Sequence, residues 1–296
     1  MDKTIGFIGL GTMGNPMAWN IHNKGFTLGV YNRTAEKMKP FTEKGIPGYA
    51  TPEELANHAE IIIIMVSDPA AVRQILLSET GVLSGMRPGT RVINMSTISH
   101  QVTMKSAEIV QKHGGTYLDV PVSGTKKPAK EGTLVILAGG EKPVVDEVTP
   151  VLETMGKKII YCGEIGQATN MKLAINLLLA SMMQGLVESL GFAKKLGIEP
   201  EAFMHTVESG GLNAPFLTAK SNLIRNGDFD INFPLRLMMK DLNLVLDSAG
   251  ENGIPLPQTA ATREMFNAAM AAGYGDEDMA AVVKVIENLA GVDLRG

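Results

Sequence analysis

The sequence has little cysteine, no long run of basic residues and no histidines at metal-ligand spacing. A single cysteine, Cys162, among 296 residues excludes an internal disulfide framework and fits a reducing compartment. With a net charge of −4 and no basic run, nucleic acid and anionic membranes are poor default partners. The five histidines are scattered along the chain, so no metal site is predicted.

The composition is that of an ordinary globular protein, with 45% hydrophobic and 20% charged residues. Residues 1–9, "MDKTIGFIG", enter a strand pattern at once, so we expect no signal peptide. The most apolar long stretch, 171–193, carries Lys172, Asn176, Gln184 and Glu188. It predicts a buried helix of a soluble protein rather than a membrane span. We therefore expect a cytoplasmic protein.

The first 160 residues alternate short β-rich runs with amphipathic segments of helix length. The predicted strands are "TIGFIGL", "TLGVYN", "AEIIIIMVS", "TRVINMS", "GTYLDVPV" and "LVILAGG". The predicted helices include 12–24, 51–58, 69–78 and 99–113. The continuous apolar run "IIIIMV" is typical of a parallel strand covered on both faces. Repeated β-α-β order predicts an α/β fold with a doubly wound, Rossmann-type sheet that binds ligands at the carboxyl ends of its strands.

After "KKIIYCG" (157–163) the pattern becomes helical. Segments near 166–196, 200–210, 214–226, 234–252, 257–273 and 276–291 are predicted helices, with prolines at plausible starts or breaks. We predict a cofactor-binding domain over residues 1–163. Residues 164–296 are predicted to form an all-α substrate and oligomerisation domain that begins with a long connecting helix.

A glycine-rich loop follows the first predicted strand and opens a helix. In "GFIGLGTMGNPM", Gly9 permits a tight turn, Gly11 lets the backbone approach a pyrophosphate, and Gly14 lets helix and strand pack closely. The helix N-terminus adds N–H groups and a positive dipole end. The segment Gly9-Leu10-Gly11-Thr12-Met13-Gly14 is therefore predicted to bind a dinucleotide. The alternative is a glycine-rich turn without a ligand.

The end of the second strand, "VYNRTAEK", indicates NADP(H) rather than NAD. A chain that selects NAD usually places a carboxylate there for the ribose 2′-hydroxyl. Here Asn32 takes that position, Arg33 can bond a 2′-phosphate with charge assistance, and Thr34 can add a hydroxyl. The alternative is that Arg33 is a solvated residue at a helix start.

Lys172 is a lysine inside an apolar helical segment, "QATNMKLAINLLLASMM" (167–183). An unpaired ammonium is seldom tolerated in such surroundings. Thr169, Lys172 and Asn176 fall on one stripe of the helix. Reduction of an aldehyde needs a proton on oxygen, which a lysine ammonium can donate while it stabilises the alkoxide. The alternative is a lysine that reaches solvent from a core helix.

Four ordered motifs, "GFIGLGTMG", "INMSTIS", "DVPVSG" and "GQATNMKLAINLL", together resemble the β-hydroxyacid dehydrogenase family over essentially the whole chain. The segments "PVSGTKKPAKEGTL" and "FPLRLMMKDLNL" are similar to the glyoxylate/succinic semialdehyde reductase branch, whose members reduce small aldehyde acids with NADPH. The first of them departs from the glycine-rich pattern of many members. That departure counts against 3-hydroxyisobutyrate as substrate.

The resemblance implies roles for individual residues. It implies Lys172 as the catalytic lysine and Asn176 as its neighbour in the site. It implies substrate contacts at Ser123, Gly124, Thr125, Phe233 and Asp241. It implies cofactor contacts at Met65, Val66, Thr97 and Lys240, besides the glycine loop and Asn32, Arg33 and Thr34. For Lys127 and Lys130 we favour a solvated loop, and an ion-paired surface is the alternative for Lys240 and Asp241.

These observations predict an NADPH-dependent reductase that converts glyoxylate or succinic semialdehyde to the hydroxy acid. The substrate is expected between the two domains, with its carboxylate at Ser123 and Gly124. The alternatives within the family are tartronate semialdehyde reductase and 3-hydroxyisobutyrate dehydrogenase. A different class is a decayed dehydrogenase that acts as a non-catalytic oligomerisation module. The resemblance also implies a homo-oligomer, a dimer or a tetramer.

Overall fold

The computed structural model describes residues 3–295. Contacts between Cα atoms divide the chain into two compact units, Met1–Lys172 and Leu173–Gly296. This division falls inside a long helix, whereas the functional division proposed from the sequence was drawn ahead of that helix. The functional boundary stays a prediction.

The first unit is an α/β domain built on one sheet. Its strands are β1 Ile5–Ile8, β2 Leu28–Tyr31, β3 Ile61–Ile64, β4 Arg91–Asn94, β5 Thr116–Asp119, β6 Val122–Ser123, β7 Leu134–Gly139 and β8 Gly156–Gly163. Its helices are α1 Gly14–Asn23, α2 Lys39–Thr42, α3 Pro52–His58, α4 Pro69–Leu77, α5 Val82–Gly85, α6 His100–Lys112, α7 Lys126–Glu131 and α8 Lys142–Leu152, with a 3₁₀ turn at Ala35–Met38.

The strand order is β2-β1-β3-β4-β5-β7-β6, and β8 pairs with β7. Strands β1 to β5 are parallel, while β7 runs antiparallel to β5 and β6. Because β2 and β3 lie on opposite sides of β1, the order reverses at the carboxyl end of β1, where doubly wound sheets bind ligands. The predicted fold class is confirmed.

Side chains alternate between two buried clusters, one on each face of the sheet. Phe7 and Ile63 belong to one cluster, whereas Ile62 and Ile64 belong to the other. All four isoleucines of β3 are fully buried, as its continuous apolar run predicts. The core therefore holds the strand ends of the candidate site on a rigid support.

The predicted strand "GTYLDVPV" is wrong as one element. It divides into β5 and β6 around Val120 and Pro121. Proline has no N–H for a continued ladder, and β6 takes its partner from β7 rather than β4. The break turns the chain toward Ser123.

The second unit is helical. Helix α9, Gln167–Lys195, crosses the division between the units, and α10 Pro200–Ser209, α11 Pro215–Asn226, α12 Leu235–Glu251, α13 Pro257–Ala271 and α14 Val283–Ala290 follow. The predicted helix over 276–291 is wrong in its first half, where 3₁₀ turns Tyr274–Asp276 and Met279–Val282 lie instead. There the Asp278 side chain accepts from the Ala280 N–H, which starts a new turn.

Helix α9 is long and apolar enough to cross a membrane by length and composition alone, and 44% of its most apolar window is buried inside the protein. Lys172, Asn176 and Gln184 are among its buried residues. The helix therefore carries polar side chains among its buried residues.

Candidate active site

The glycine loop after β1 has the shape that a dinucleotide requires. Gly9 has φ +102°, and a Cβ atom there would lie 2.2 Å from the Met65 carbonyl oxygen. A Cβ on Gly14 would lie 1.9 Å from the Gly9 oxygen, whereas a Cβ on Gly11 would meet nothing within 4 Å. Two glycines are thus needed for packing, and the third leaves open backbone for a pyrophosphate. The residues present fit this cofactor.

The N-terminus of α1 supports the same interpretation. Met13 occupies the N-cap position without a side-chain hydrogen bond, and the first turn carries no acidic residue. An uncapped, uncharged helix start favours an anion by its dipole and its N–H groups. Thr12 is exposed beside it.

The Asn32 side chain ties the end of β2 to the glycine loop. Its Oδ1 accepts from the Leu10 N–H at 2.9 Å, and its Nδ2 donates to the Thr34 carbonyl oxygen at 2.9 Å. No carboxylate lies between residues 28 and 34, and the Arg33 side chain is exposed. The amide of Asn32 is therefore engaged with backbone, and a direct contact of Asn32 with the cofactor stays a prediction.

Hydrogen bonds connect the carboxyl ends of β3 and β4 with the sheet edge at which the glycine loop lies. The Met65 N–H donates to the Ile8 carbonyl oxygen, and the Val66 N–H donates to Ser96 Oγ, both at 2.9 Å. Ser96 was not singled out from the sequence, although a serine just after a buried strand is a usable signal. Thr97 follows it and is partly exposed.

The Ser123–Thr125 segment leaves the short strand β6 and enters α7. Gly124 has φ +140°, a backbone conformation that favours glycine, and a Cβ there would lie 2.7 Å from Leu134 Cδ2. Thr125 is the N-cap residue of α7. Asn20 Nδ2, on α1, donates to the Ala129 carbonyl oxygen at 2.8 Å, which fixes α7 to the helix behind the glycine loop.

The lysines of this segment lie in solvent. Lys126, Lys127 and Lys130 are exposed, and Lys127 Nζ lies 4.0 Å from Glu131 Oε1. An exposed pair of this kind contributes about 0–1 kcal/mol. The arrangement agrees with the solvated loop favoured for Lys127 and Lys130.

Asp119, the last residue of β5, is a buried carboxylate that sequence reasoning missed. Its Oδ1 accepts from the Gly166 N–H at 3.1 Å and its Oδ2 from the Thr169 N–H at 2.8 Å. Burial raises the pKa of Asp119, and these backbone hydrogen bonds oppose the rise. The carboxylate thus holds the first turn of α9 against the sheet.

Lys172 and Asn176 lie one turn apart on α9. Both are buried, with 8% and 1% of their surface exposed. Lys172 therefore does not sit on the solvent face of the helix, which weakens the alternative of a lysine that reaches into water.

In the second unit, Asp241 on α12 orients Asn176. Asn176 Nδ2 donates to Asp241 Oδ2 at 2.6 Å, and Lys240 Nζ lies 2.8 Å from Asp241 Oδ1. Asp241 is 2% exposed. The ion pair weighed as an alternative for Lys240 and Asp241 is present, but it is built around a buried carboxylate rather than on an open surface.

Phe233 precedes α12 and is held by its backbone. Its N–H donates to Asp278 Oδ2 at 3.0 Å, and its carbonyl oxygen accepts from the Met279 N–H at 2.9 Å. Asp278 is also paired with the buried Lys220 at 2.6 Å, and burial lowers the pKa of Lys220. Sequence reasoning missed this pair because its members are far apart in the chain.

Among residues 3–295, no group of three or more His, Cys, Asp or Glu side chains is arranged to hold a metal ion. The first unit carries a glycine cradle, a strand end without a carboxylate and a buried lysine, a combination that fits a dinucleotide-dependent oxidoreductase.

Comparison with known proteins assigns the chain to a family. Residues 4–163 match the NAD binding domain of 6-phosphogluconate dehydrogenase, and residues 166–286 match the NAD-binding domain of NADP-dependent 3-hydroxyisobutyrate dehydrogenase. The chain belongs to the β-hydroxyacid dehydrogenase family. The resemblance inferred from the sequence motifs is confirmed.

Two curated relatives and one solved structure show how the similarity is distributed. Glyoxylate/succinic semialdehyde reductase 1 of Arabidopsis thaliana is 34% identical over 283 residues, 96% of this chain and 98% of the relative. The cytokine-like nuclear factor N-PAC of Homo sapiens is 35% identical over 283 residues, 96% of this chain but 51% of the relative. The structure of Mycobacterium tuberculosis 3-hydroxyisobutyrate dehydrogenase with L-serine has TM-score 0.88 and 29% identity, covering 97% of this chain and 99% of that one.

Proposed function

We propose that this protein is an NADPH-dependent reductase of small aldehyde acids, which converts glyoxylate to glycolate and succinic semialdehyde to 4-hydroxybutyrate. The observation that carries the proposal is the buried Lys172, one helical turn from Asn176. Identity to the reductase and to the nuclear factor is nearly equal. Sequence identity therefore does not decide between these two relatives, and the proposal depends on the chemistry of Lys172 and Asn176.

The choice of NADPH rests on the strand end at Asn32 and Arg33. A neutral amide replaces the carboxylate that would repel a 2′-phosphate, and the exposed Arg33 guanidinium can bond that phosphate from two nitrogens. The glycine loop would hold the pyrophosphate. Met65, Val66, Thr97 and Lys240 are the proposed remaining contacts.

A reduced nicotinamide, when bound, supplies the hydride. Lys172 Nζ donates a proton to the substrate carbonyl oxygen and stabilises the alkoxide that develops there. Asn176 Nδ2 donates to Asp241 Oδ2, and an amide oxygen such as Asn176 Oδ1 can accept a hydrogen bond from an ammonium. The Ser123 hydroxyl and the backbone N–H groups at Gly124 and Thr125 bind the substrate carboxylate.

The substrate is tested by a panel with both cofactors. NADPH or NADH oxidation is followed with glyoxylate, succinic semialdehyde and tartronate semialdehyde, and NADP+ or NAD+ reduction with 3-hydroxyisobutyrate. We expect the highest kcat/KM with glyoxylate or succinic semialdehyde and NADPH. A preference for either other acid would favour the rival assignments. Cofactor binding without any turnover would favour the non-enzymatic module.

We further propose that the protein is a homo-oligomer, a dimer or a tetramer. Support comes from exposed apolar side chains on α9, where Met171, Ile175 and Leu178 recur at helical spacing. Light scattering after size exclusion measures the mass, and a monomer at micromolar concentration would contradict the proposal.

A further inference from the structure

Asp119 connects two parts of the first unit. One is the segment at Ser123 that is proposed to bind the substrate carboxylate, and the other is the first turn of α9, the helix that carries Lys172. Asp119 ends β5, and the chain after it leads within four residues to Ser123. Its side chain has no exposed surface, and its two carboxylate oxygens accept from the N–H groups of Gly166 and Thr169. One buried group is thus bonded to the start of the helix that carries Lys172.

The residue before α9 is Gly166, which has no side chain that could cap the helix. Its carbonyl oxygen accepts the Asn170 N–H at 2.9 Å, and it cannot satisfy the free N–H groups of the first turn through a side chain. Asp119 does so from the sheet, 47 and 50 residues away in the chain. It acts as a distant N-cap.

The surroundings are shaped to admit this carboxylate. Gly139 is the cross-strand partner of Asp119, and a Cβ on Gly139 would lie 2.3 Å from Asp119 Oδ1. Gly166 has φ +91°, and a Cβ there would lie 2.5 Å from His100 Cε1. Thr103 Oγ1 lies 3.0 Å from Thr169 Oγ1, so a second, weaker polar contact holds the same turn.

Thr169 and Lys172 are three residues apart, about 4.5 Å along the axis of a helix that rises roughly 1.5 Å per residue. A shift of the first turn therefore shifts Lys172 with it. A misplacement of about 1 Å in a catalytic group can lower a rate on the order of 100-fold.

We propose that Asp119 is a positioning residue of the reductase, which fixes the proton-donating Lys172 relative to the segment that binds the substrate carboxylate. The inference rests on the proposed function for its catalytic meaning. It assigns Asp119 no contact with substrate or cofactor.

The test compares D119N with T103V in the full chain. D119N keeps the size of the side chain but replaces one acceptor by an N–H donor that faces a backbone donor. T103V removes only the neighbouring hydroxyl contact to the same turn of α9. For each variant we would measure kcat and KM with glyoxylate, the NADPH dissociation constant, and amide hydrogen exchange of residues 166–172.

We expect D119N to lower kcat, expressed per NADPH-binding site, by about 30- to 100-fold, while the NADPH dissociation constant stays within about twofold. The glycine loop packs against β1 and β3 without Asp119, so cofactor affinity should not follow kcat. Exchange at 166–172 should rise in D119N. T103V should keep kcat within about threefold.

Three results would overturn the proposal: D119N with kcat within about threefold of the original, a parallel loss of kcat and NADPH affinity, or unchanged exchange at 166–172. Unchanged exchange at residues 166–172 would show that Asp119 does not hold the first turn of α9, whichever acid is the substrate. Failure of the proposed function would show separately, as absence of turnover in the unsubstituted chain across the whole acid panel.

Discussion

Replacement of Asp241 by alanine is expected to damage both stability and catalysis, because this carboxylate holds two side chains at once. It accepts from Asn176 Nδ2 at 2.6 Å and pairs with Lys240 Nζ at 2.8 Å. In D241A the buried Asn176 amide loses this acceptor, and an unsatisfied buried donor costs about 1–3 kcal/mol. Lys240 is partly exposed, so its lost ion pair adds only about 0–1 kcal/mol.

The expected loss in free energy of unfolding is therefore about 1–4 kcal/mol, measured by urea denaturation. The same change removes one of the contacts that orient the Asn176 amide, so kcat/KM for glyoxylate should fall by at least tenfold. D247A is the matched control, since Asp247 is an exposed aspartate on the same helix. A double-mutant cycle with N176A should give a coupling energy of about 0.5–3 kcal/mol. If D241A matched D247A in stability and turnover, or if the cycle gave no coupling, the argument for this network would be refuted.

Three further predictions concern the cofactor, the proton donor and pH. R33D should raise KM for NADPH at least tenfold with little change for NADH, and an unchanged ratio in initial-rate assays would contradict the choice of NADPH. K172M keeps the volume of the buried side chain but removes its ammonium, so kcat should fall by a factor of about 10²–10⁴. NADPH binding, measured by fluorescence titration, should persist. Retained turnover would exclude Lys172 as the general acid. Burial raises the pKa of Asp119, so the folded state binds its proton more tightly than the unfolded chain does. The free energy of unfolding of the original protein should therefore fall relative to that of D119N as the pH rises from about 4, the pKa of an unfolded aspartate, through the raised pKa of the folded state. Above the raised pKa the difference should stay constant. Urea unfolding between pH 4 and 8 measures this difference, and a difference that does not change with pH would contradict the prediction.

Two parts of the candidate site could be predicted from the sequence, because each is formed by residues that are close together in the chain. The glycine loop could be predicted because a tight turn, an open backbone and a close helix contact each demand glycine at a set spacing. The stripe on α9 followed from helical periodicity. Both depend on residues within a few positions of one another.

The partners that fix these groups could not be predicted, because they are distant in the chain. Asp119 meets residues 47 and 50 positions away, and Asp241 meets Asn176 across 65. A single sequence contains no signal for such pairings. The same holds for Lys220 and Asp278, 58 positions apart, and Asp278 also explains why a continuous helix over 276–291 was the wrong expectation.

The two hydrogen bonds of the Asn32 amide have a consequence for anyone who would redesign the coenzyme preference of this protein. Exchange of Asn32 for aspartate would introduce the negative charge that favours an unphosphorylated ribose and would still accept from the Leu10 N–H. It would also remove the hydrogen bond from Asn32 Nδ2 to the Thr34 carbonyl oxygen, and would set a carboxylate against that oxygen. A second substitution that supplies a new donor to the Thr34 carbonyl oxygen would offset this loss.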